Sequence, residues 1–185
     1  MTGNQADRVR DRLLAATPQE RETWLIGTAS VPVSRVLAAS YDGVAAGRDT
    51  ATVTARLRLT RFGTAAGSRT LLPLLLERWS FIPPAGAGER TQPVRCFPYA
   101  FEDTDTVETA LPAGARLEAV PPHIEIETPF ARYALRATPR GDGVLVVTRR
   151  LAVTGEALEP AQYEALRAFL GSVARADNQQ AVMVR

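Results

Sequence analysis

From Leu111 to Val153 apolar and polar residues alternate with a period of two, broken only by turn residues. Pro112-Ala113-Gly114 opens the stretch, Leu117 and Ala119 follow at that period, and Pro121-Pro122 ends the run. Ile124 and Ile126 then alternate with Glu125 and Glu127, and Tyr133 and Leu135 with Arg132, Ala134 and Arg136. Arg140-Gly141-Asp142-Gly143 is a hairpin turn, since glycine supplies the positive φ that tight turns need. Val144 to Val153 returns as a strand rich in β-branched residues. Such alternation predicts half-buried antiparallel strands, here a β-meander onto which the flanking segments dock.

The same period marks Thr50 to Arg61: Ala51, Val53, Ala55, Leu57 and Leu59 share one face, Thr52, Thr54, Arg56, Arg58 and Thr60 the other. Those arginines read as a solvated face, because no aromatics interleave with them and no glycine-rich loop accompanies them. Val31 to Tyr41 reads as a strand ended by Asp42-Gly43, and Val94–Phe101 and Thr104–Leu111 as two extended runs. The apolar run Leu71 to Phe81 contains Pro73, which belongs at a strand start, a bulge or an edge.

Helical spacing appears at both ends. Over residues 4–16, Val9, Leu13 and Ala16 share a face. Thr17-Pro18-Gln19-Glu20 is a capping box with proline at the first helical position, so a second helix starts there, buries Trp24 with Leu25 or Ile26, and stops at Gly27. Glu159-Pro160 opens a third helix with Tyr163, Leu166, Phe169, Leu170 and Val173 on its apolar face. Asp177-Asn178 turns, and Ala181 to Val184 adds a last strand. The predicted fold is mainly β: an antiparallel β-sandwich with an N-terminal helical segment, residues 1–27, and a sandwich domain, residues 28–185, closed by the C-terminal helix. Ile82 to Glu89 is the most linker-like stretch and a possible subdivision.

Composition narrows the function classes. The 185 residues, 45% of them hydrophobic, suffice for a real core. A net charge of +2 gives no overall drive toward nucleic acid. All 22 basic residues are arginine. A single cysteine excludes an internal disulfide framework and a multi-cysteine zinc site. No apolar run has the length of a membrane span, and the first residues lack a signal-peptide apolar core, so the expectation is a soluble chain without an address of its own.

Candidate chemistry is sparse. Cys96, His123 and Asp142 supply the residue types of a thiol-hydrolase triad in chain order. A nucleophilic cysteine needs a helix N-terminus or an imidazole to stabilise its thiolate. Cys96 sits instead in the extended segment Arg95-Cys96-Phe97-Pro98, and Asp142 lies in a hairpin turn. Glu102, Asp103, Asp105 and Glu108 form an acidic cluster, without the glycine or spacing of a calcium loop. Glu125 and Glu127 share a strand face, with no pocket evident for acid–base work. Arg149 and Arg150 point to opposite faces, so at most one is buried, and that one needs a carboxylate such as Glu125 or Glu127. No residue is assigned a catalytic, cofactor-binding or metal-binding role, and no cofactor is expected.

One ordered set of motifs carries a family resemblance. It runs from Leu111, Pro112 and Gly114 through Pro121, Phe130 and Tyr133, the glycine hairpin, and Thr148 to Leu151. It continues with Tyr163, Phe169 and Asp177 and closes on Val182 and Val184. In this order and spacing, most of Arg48 to Arg185 resembles the C-terminal region of bacterial proteins built around a transglutaminase-like core, domain of unknown function 3857 and its relatives. Residues 4–60 look like the helix-to-strand passage just after the catalytic core. The core itself is missing from this sequence. The resemblance implies a non-catalytic accessory domain that packs against, or positions substrate for, a transglutaminase-like or cysteine-peptidase-like core. Family members are often exported. The alternative is a stand-alone module binding a protein, peptide or glycan, and a further one a cryptic thiol hydrolase using Cys96. The implied partner is a transglutaminase-like domain or another protein, with no nucleic acid and no membrane; the sequence assigns no oligomeric state.

Overall fold

The computed structural model describes residues 3–45, 50–77 and 91–185, with the side chains of residues 3–6 left out. The fold is mainly β, with antiparallel sheets, and the chain divides into two compact units, Met1–Phe62 and Gly63–Arg185. The division read from the sequence fell after Gly27. The compact unit extends to Phe62 because the helical segment shares a core with the hairpin that follows it. The possible subdivision at 82–89 lies outside the described residues.

The first unit contains α1 (Gly3–Leu14), α2 (Pro18–Thr28), β1 (Val33–Asp42) and β2 (Thr52–Leu59). Thr17 caps α2 as its sequence requires: its hydroxyl accepts from the Glu20 amide, and the Glu20 carboxylate accepts from the Thr17 amide at 2.7 Å. That bond holds the Glu20 carboxyl below its ordinary range. Leu13, Val44 and Ala51 form a small core, with Val9, Trp24, Tyr41 and Val53 packed against it. Arg21 donates twice to the Leu13 carbonyl, closing the end of α1, and its guanidinium lies 5.2 Å from the Tyr41 ring centre. β1 and β2 pair antiparallel as a two-stranded sheet, with Arg35 opposite Arg58, Val36 opposite Leu57 and Tyr41 opposite Val53.

The second unit holds two four-stranded antiparallel sheets. The first has the order β3 (Thr64–Ala66), β4 (Arg69–Pro73), β10 (Gln180–Val184), β6 (Arg116–Ala119). Pro73 is the last residue of β4, where its missing N–H costs least. The second sheet has the order β5 (Phe101–Ala110), β9 (Val144–Val153), β8 (Ala131–Arg140), β7 (Ile124–Glu127). β8 and β9 form the expected hairpin, with Arg140 opposite Val144 and the left-handed turn residue at Gly143.

Two expectations are corrected. β6 leaves the meander for the other sheet, because Pro121-Pro122 interrupts the ladder and frees the chain to switch sides. Of the two runs expected at 94–101 and 104–111, one long strand forms, β5. The prolines at 93 and 98 deny the earlier segment a continuous ladder, and Val94 makes only an isolated bridge with Leu158.

Helix α3 (Tyr163–Asp177) closes the unit. Tyr163, Leu166, Phe169, Leu170 and Val173 are all buried, so the helical spacing identified the packed face. Phe169 meets Phe130 edge-on at 5.9 Å. Beneath lie Tyr133 and Leu135 of β8 and Leu145, Val147 and Leu151 of β9, each nearly inaccessible.

Candidate functional site

The structure gives Cys96, His123 and Asp142 separate partners. Nε2 of His123 lies 2.8 Å from the Glu125 carboxylate and Nδ1 lies 3.1 Å from the Leu135 carbonyl. Both ring nitrogens thus face acceptors, and no lone pair is aimed at a thiol. Asp142 accepts from its turn neighbour Arg140 at 2.9 Å, which holds the carboxyl below its ordinary range. Cys96 is half-buried outside any helix or strand, and burial pushes its thiol up, away from the thiolate. A nucleophile would show the reverse. Iodoacetamide labelling of native Cys96 at pH 7.5 is therefore expected to be at least several-fold slower than in the unfolded chain. Fast native labelling that disappears in His123→Ala would identify an activated thiol.

Three of the four acidic residues of β5 pair with arginines. Glu102 accepts from Arg150 at 2.7 Å, Glu108 from Arg140 at 3.0 Å and Asp105 from Arg149 at 2.6 Å. No cluster of three or more ligating side chains suited to a metal ion occurs among the described residues. Glu127 likewise pairs with Arg132 at 2.8 Å, and the exposed pairs of Glu102, Glu108 and Glu127 dress the outer face of the sheet. Between them lies a shallow cleft of about 530 Å³ lined by Glu102, Glu125, Glu127, Arg132 and Arg150.

The polar group that sequence reasoning missed lies on the opposite face. Arg149 is 1% exposed, and its partners are Asp105 and Asp177, in place of the expected Glu125 or Glu127. The reason is register: Asp105 stands directly opposite Arg149 across β5 and β9, whereas Glu125 and Glu127 project from the outer face. Asp177 is the last residue of α3, and not the turn that its Asp-Asn sequence suggested. Its carboxylate accepts from Arg149 Nη1 at 2.7 Å and from the Tyr133 hydroxyl at 2.7 Å. Burial, followed by the bond to Asp177, pushes the Tyr133 phenol far above its ordinary range. The network clamps the C-terminal end of α3 to three strands. A helix C-terminus is an unfavourable place for a carboxylate, and the buried guanidinium compensates.

Glu77 borders the same cluster. Its carboxyl is raised, first by desolvation and then by the negative charge of Asp105, against the pull of Arg149. A carboxyl raised in the folded state holds its proton more tightly there than in the unfolded chain. Stability is then greater below the ordinary carboxylate range and falls as pH climbs through the raised value. Glu77→Gln is expected to raise Tm at pH 7, with the gain closing toward pH 4. A lower Tm at pH 7 would instead assign Glu77 as a needed partner of Arg149.

Several of the residues that carried the family resemblance are in contact: Phe130 with Phe169, and Tyr133 and Arg149 with Asp177. A profile for a domain of unknown function with solved structures, DUF3858, matches residues 67–183. The chain belongs to the DUF3858 family. The DUF3858 region takes in all of the second unit except its first and last few residues, and it excludes the helices and hairpin of the first. The family reached from sequence, 3857, is not the one whose profile matches. No curated protein matches the chain. Among solved structures, a crystal structure described as a "putative protease" from Parabacteroides distasonis aligns at 20% identity with a TM-score of 0.45. The alignment covers 57% of this chain and 23% of that one, so this DUF3858 chain spans under a quarter of that protein's length. No helix among the described residues is long and apolar enough to cross a membrane.

Proposed function

We propose that this DUF3858 chain is a non-catalytic accessory domain that packs against, or positions substrate for, a transglutaminase-like or cysteine-peptidase-like core. The observation that carries the reading is the fate of the three residues such chemistry would use. Both nitrogens of His123 are occupied by Glu125 and the Leu135 carbonyl, Asp142 serves its own turn, and the Cys96 thiol is raised. The Arg149 network holds a helix to a sheet, with Arg149 and Asp177 both nearly inaccessible. The test is titration of the chain into the purified transglutaminase-like or peptidase core encoded nearest to it in its genome. The expected result is a one-to-one complex with a changed KM for peptide substrate and a nearly constant kcat. No complex, together with thiol-dependent hydrolysis by the chain alone, would replace this reading with the hydrolase.

The charged cleft on the outer sheet face favours one second reading, a stand-alone module that binds a peptide or glycan. Retained ligand binding by the isolated chain, without any core, would select it.

A further inference from the structure

The hairpin of the first unit gathers arginines on one face without the carboxylates that face several strand arginines of the second unit. On the second unit four strand arginines meet carboxylates: Arg132 meets Glu127, Arg140 meets Glu108, Arg150 meets Glu102 and Arg69 meets Glu118. On the β1–β2 hairpin, Arg35 stands directly opposite Arg58, and Arg56 lies two residues further along β2 on the same face. All three are exposed, and none forms an ion pair with a carboxylate among the described residues. Asp42, on the same face opposite Thr52, is four residues along β2 from Arg56 and forms no ion pair with it. Like charges directly opposite one another weaken a strand pair. The arrangement lowers hairpin stability and leaves three guanidinium groups without a carboxylate partner among the described residues.

The backbone offers a matching feature. Among the described residues β1 and β2 form a sheet of two strands, so each has an edge that no described strand pairs. The edges differ. Both register shifts place the extra residue on β1, between Val33 and Arg35 and between Val36 and Ala38. Bulges kink an edge and block the addition of another strand. β2 is regular over Thr52–Leu59, with neither proline nor glycine. Its two faces alternate: Arg56 and Arg58 exposed on one, Val53, Leu57 and Leu59 half-buried on the other. A residue spacing of roughly 7 Å along each face matches that of a neighbouring strand.

We infer that the free edge of β2 receives an extended protein segment that alternates carboxylate and aliphatic side chains. Its acidic residues lie beside Arg56 and Arg58, and its aliphatic residues extend the half-covered face of Leu57 and Leu59. Main-chain hydrogen bonds supply affinity, and the side-chain alternation supplies register. The carboxylate–arginine pairing is the one the chain's own second sheet uses. A nucleic acid fits less well, because no aromatic side chain shares the arginine face; Tyr41, opposite Val53, is on the other. The inference names a partner surface for the accessory reading, yet it stands on the hairpin alone and is tested without any core.

The experiment uses the full chain and a labelled, end-blocked peptide, Thr-Glu-Val-Glu-Val-Glu-Thr, followed by fluorescence anisotropy at low salt. The expected result is binding at least ten-fold tighter than for the lysine analogue, Thr-Lys-Val-Lys-Val-Lys-Thr, and for the glutamate peptide N-methylated at alternate amides. The double variant Arg56→Glu/Arg58→Glu should invert the preference, binding the lysine peptide instead. A glutamate at 58 faces Arg35, so this variant should melt no lower than the parent, and lost binding then cannot be ascribed to unfolding. Equal binding of the N-methylated peptide would overturn strand addition. Equal or tighter binding of a single-stranded oligonucleotide would overturn the protein partner. Self-association of the parent that the double variant abolishes would reassign the surface to a second copy of the chain.

Discussion

Asp177→Ala is expected to cost about 3–5 kcal/mol, a large fraction of what a domain of this size has to lose. Asp177 is 3% exposed at the end of α3 and accepts from both Arg149 and Tyr133. Alanine removes that shared acceptor and leaves a guanidinium, itself 1% exposed, to balance its charge on Asp105 from one side only. The cost is that of a buried charge that has lost its closest compensation, and it exceeds the net worth of the ion pair. Two further variants separate these terms. Asp177→Asn keeps an acceptor for Tyr133 while removing the negative charge, so it should fall between the parent and alanine. Arg149→Met in the Asp177→Ala background should recover part of the loss, because the uncompensated charge is gone. Denaturant unfolding of the full chain, with hydrogen exchange at the α3 amides, would read all three. A loss well under ~1 kcal/mol for Asp177→Ala would mean that α3 is held by its apolar face alone.

That apolar face is the second large term. Leu166→Ala is expected to destabilise by about 2–5 kcal/mol, the range for a core leucine whose cavity collapses incompletely. Leu166 is 0% exposed and sits midway between Tyr163 and Phe169 on the buried stripe of α3. The same variant should leave the capping of α2 and the small core around Leu13 unchanged, since those belong to the first unit. Protection lost at α3 and β8 while the amides of α2 keep theirs would show two units unfolding separately. A loss well under ~1 kcal/mol would instead mark α3 as peripheral and shaped for a partner.

Local chemistry, and therefore the sequence, settled several features of this protein. The capping box at Thr17 and Glu20 started α2, and the 3.6-residue stripe from Tyr163 to Val173 chose the buried face of α3. The period-two runs and the glycine turn at Gly143 set the β8–β9 hairpin and which side of each strand is wet. Each depends on residues a few positions apart. Tertiary structure decided what depends on distant ones. Whether Arg149 or Arg150 is buried depends on which face α3 covers, and its partners Asp105 and Asp177 lie 44 and 28 residues away. Asp177-Asn178 has the composition of a turn, yet a buried guanidinium makes its carboxylate the anchor of a helix end. β6 alternates like its neighbours, but strand period carries no information about which sheet a strand joins. The hairpin arginines divide the same way. Alternation placed Arg56 and Arg58 on one exposed face of β2, and only the register with β1 brought Arg35 opposite Arg58, concentrating a charge that the sequence had spread across twenty-four positions.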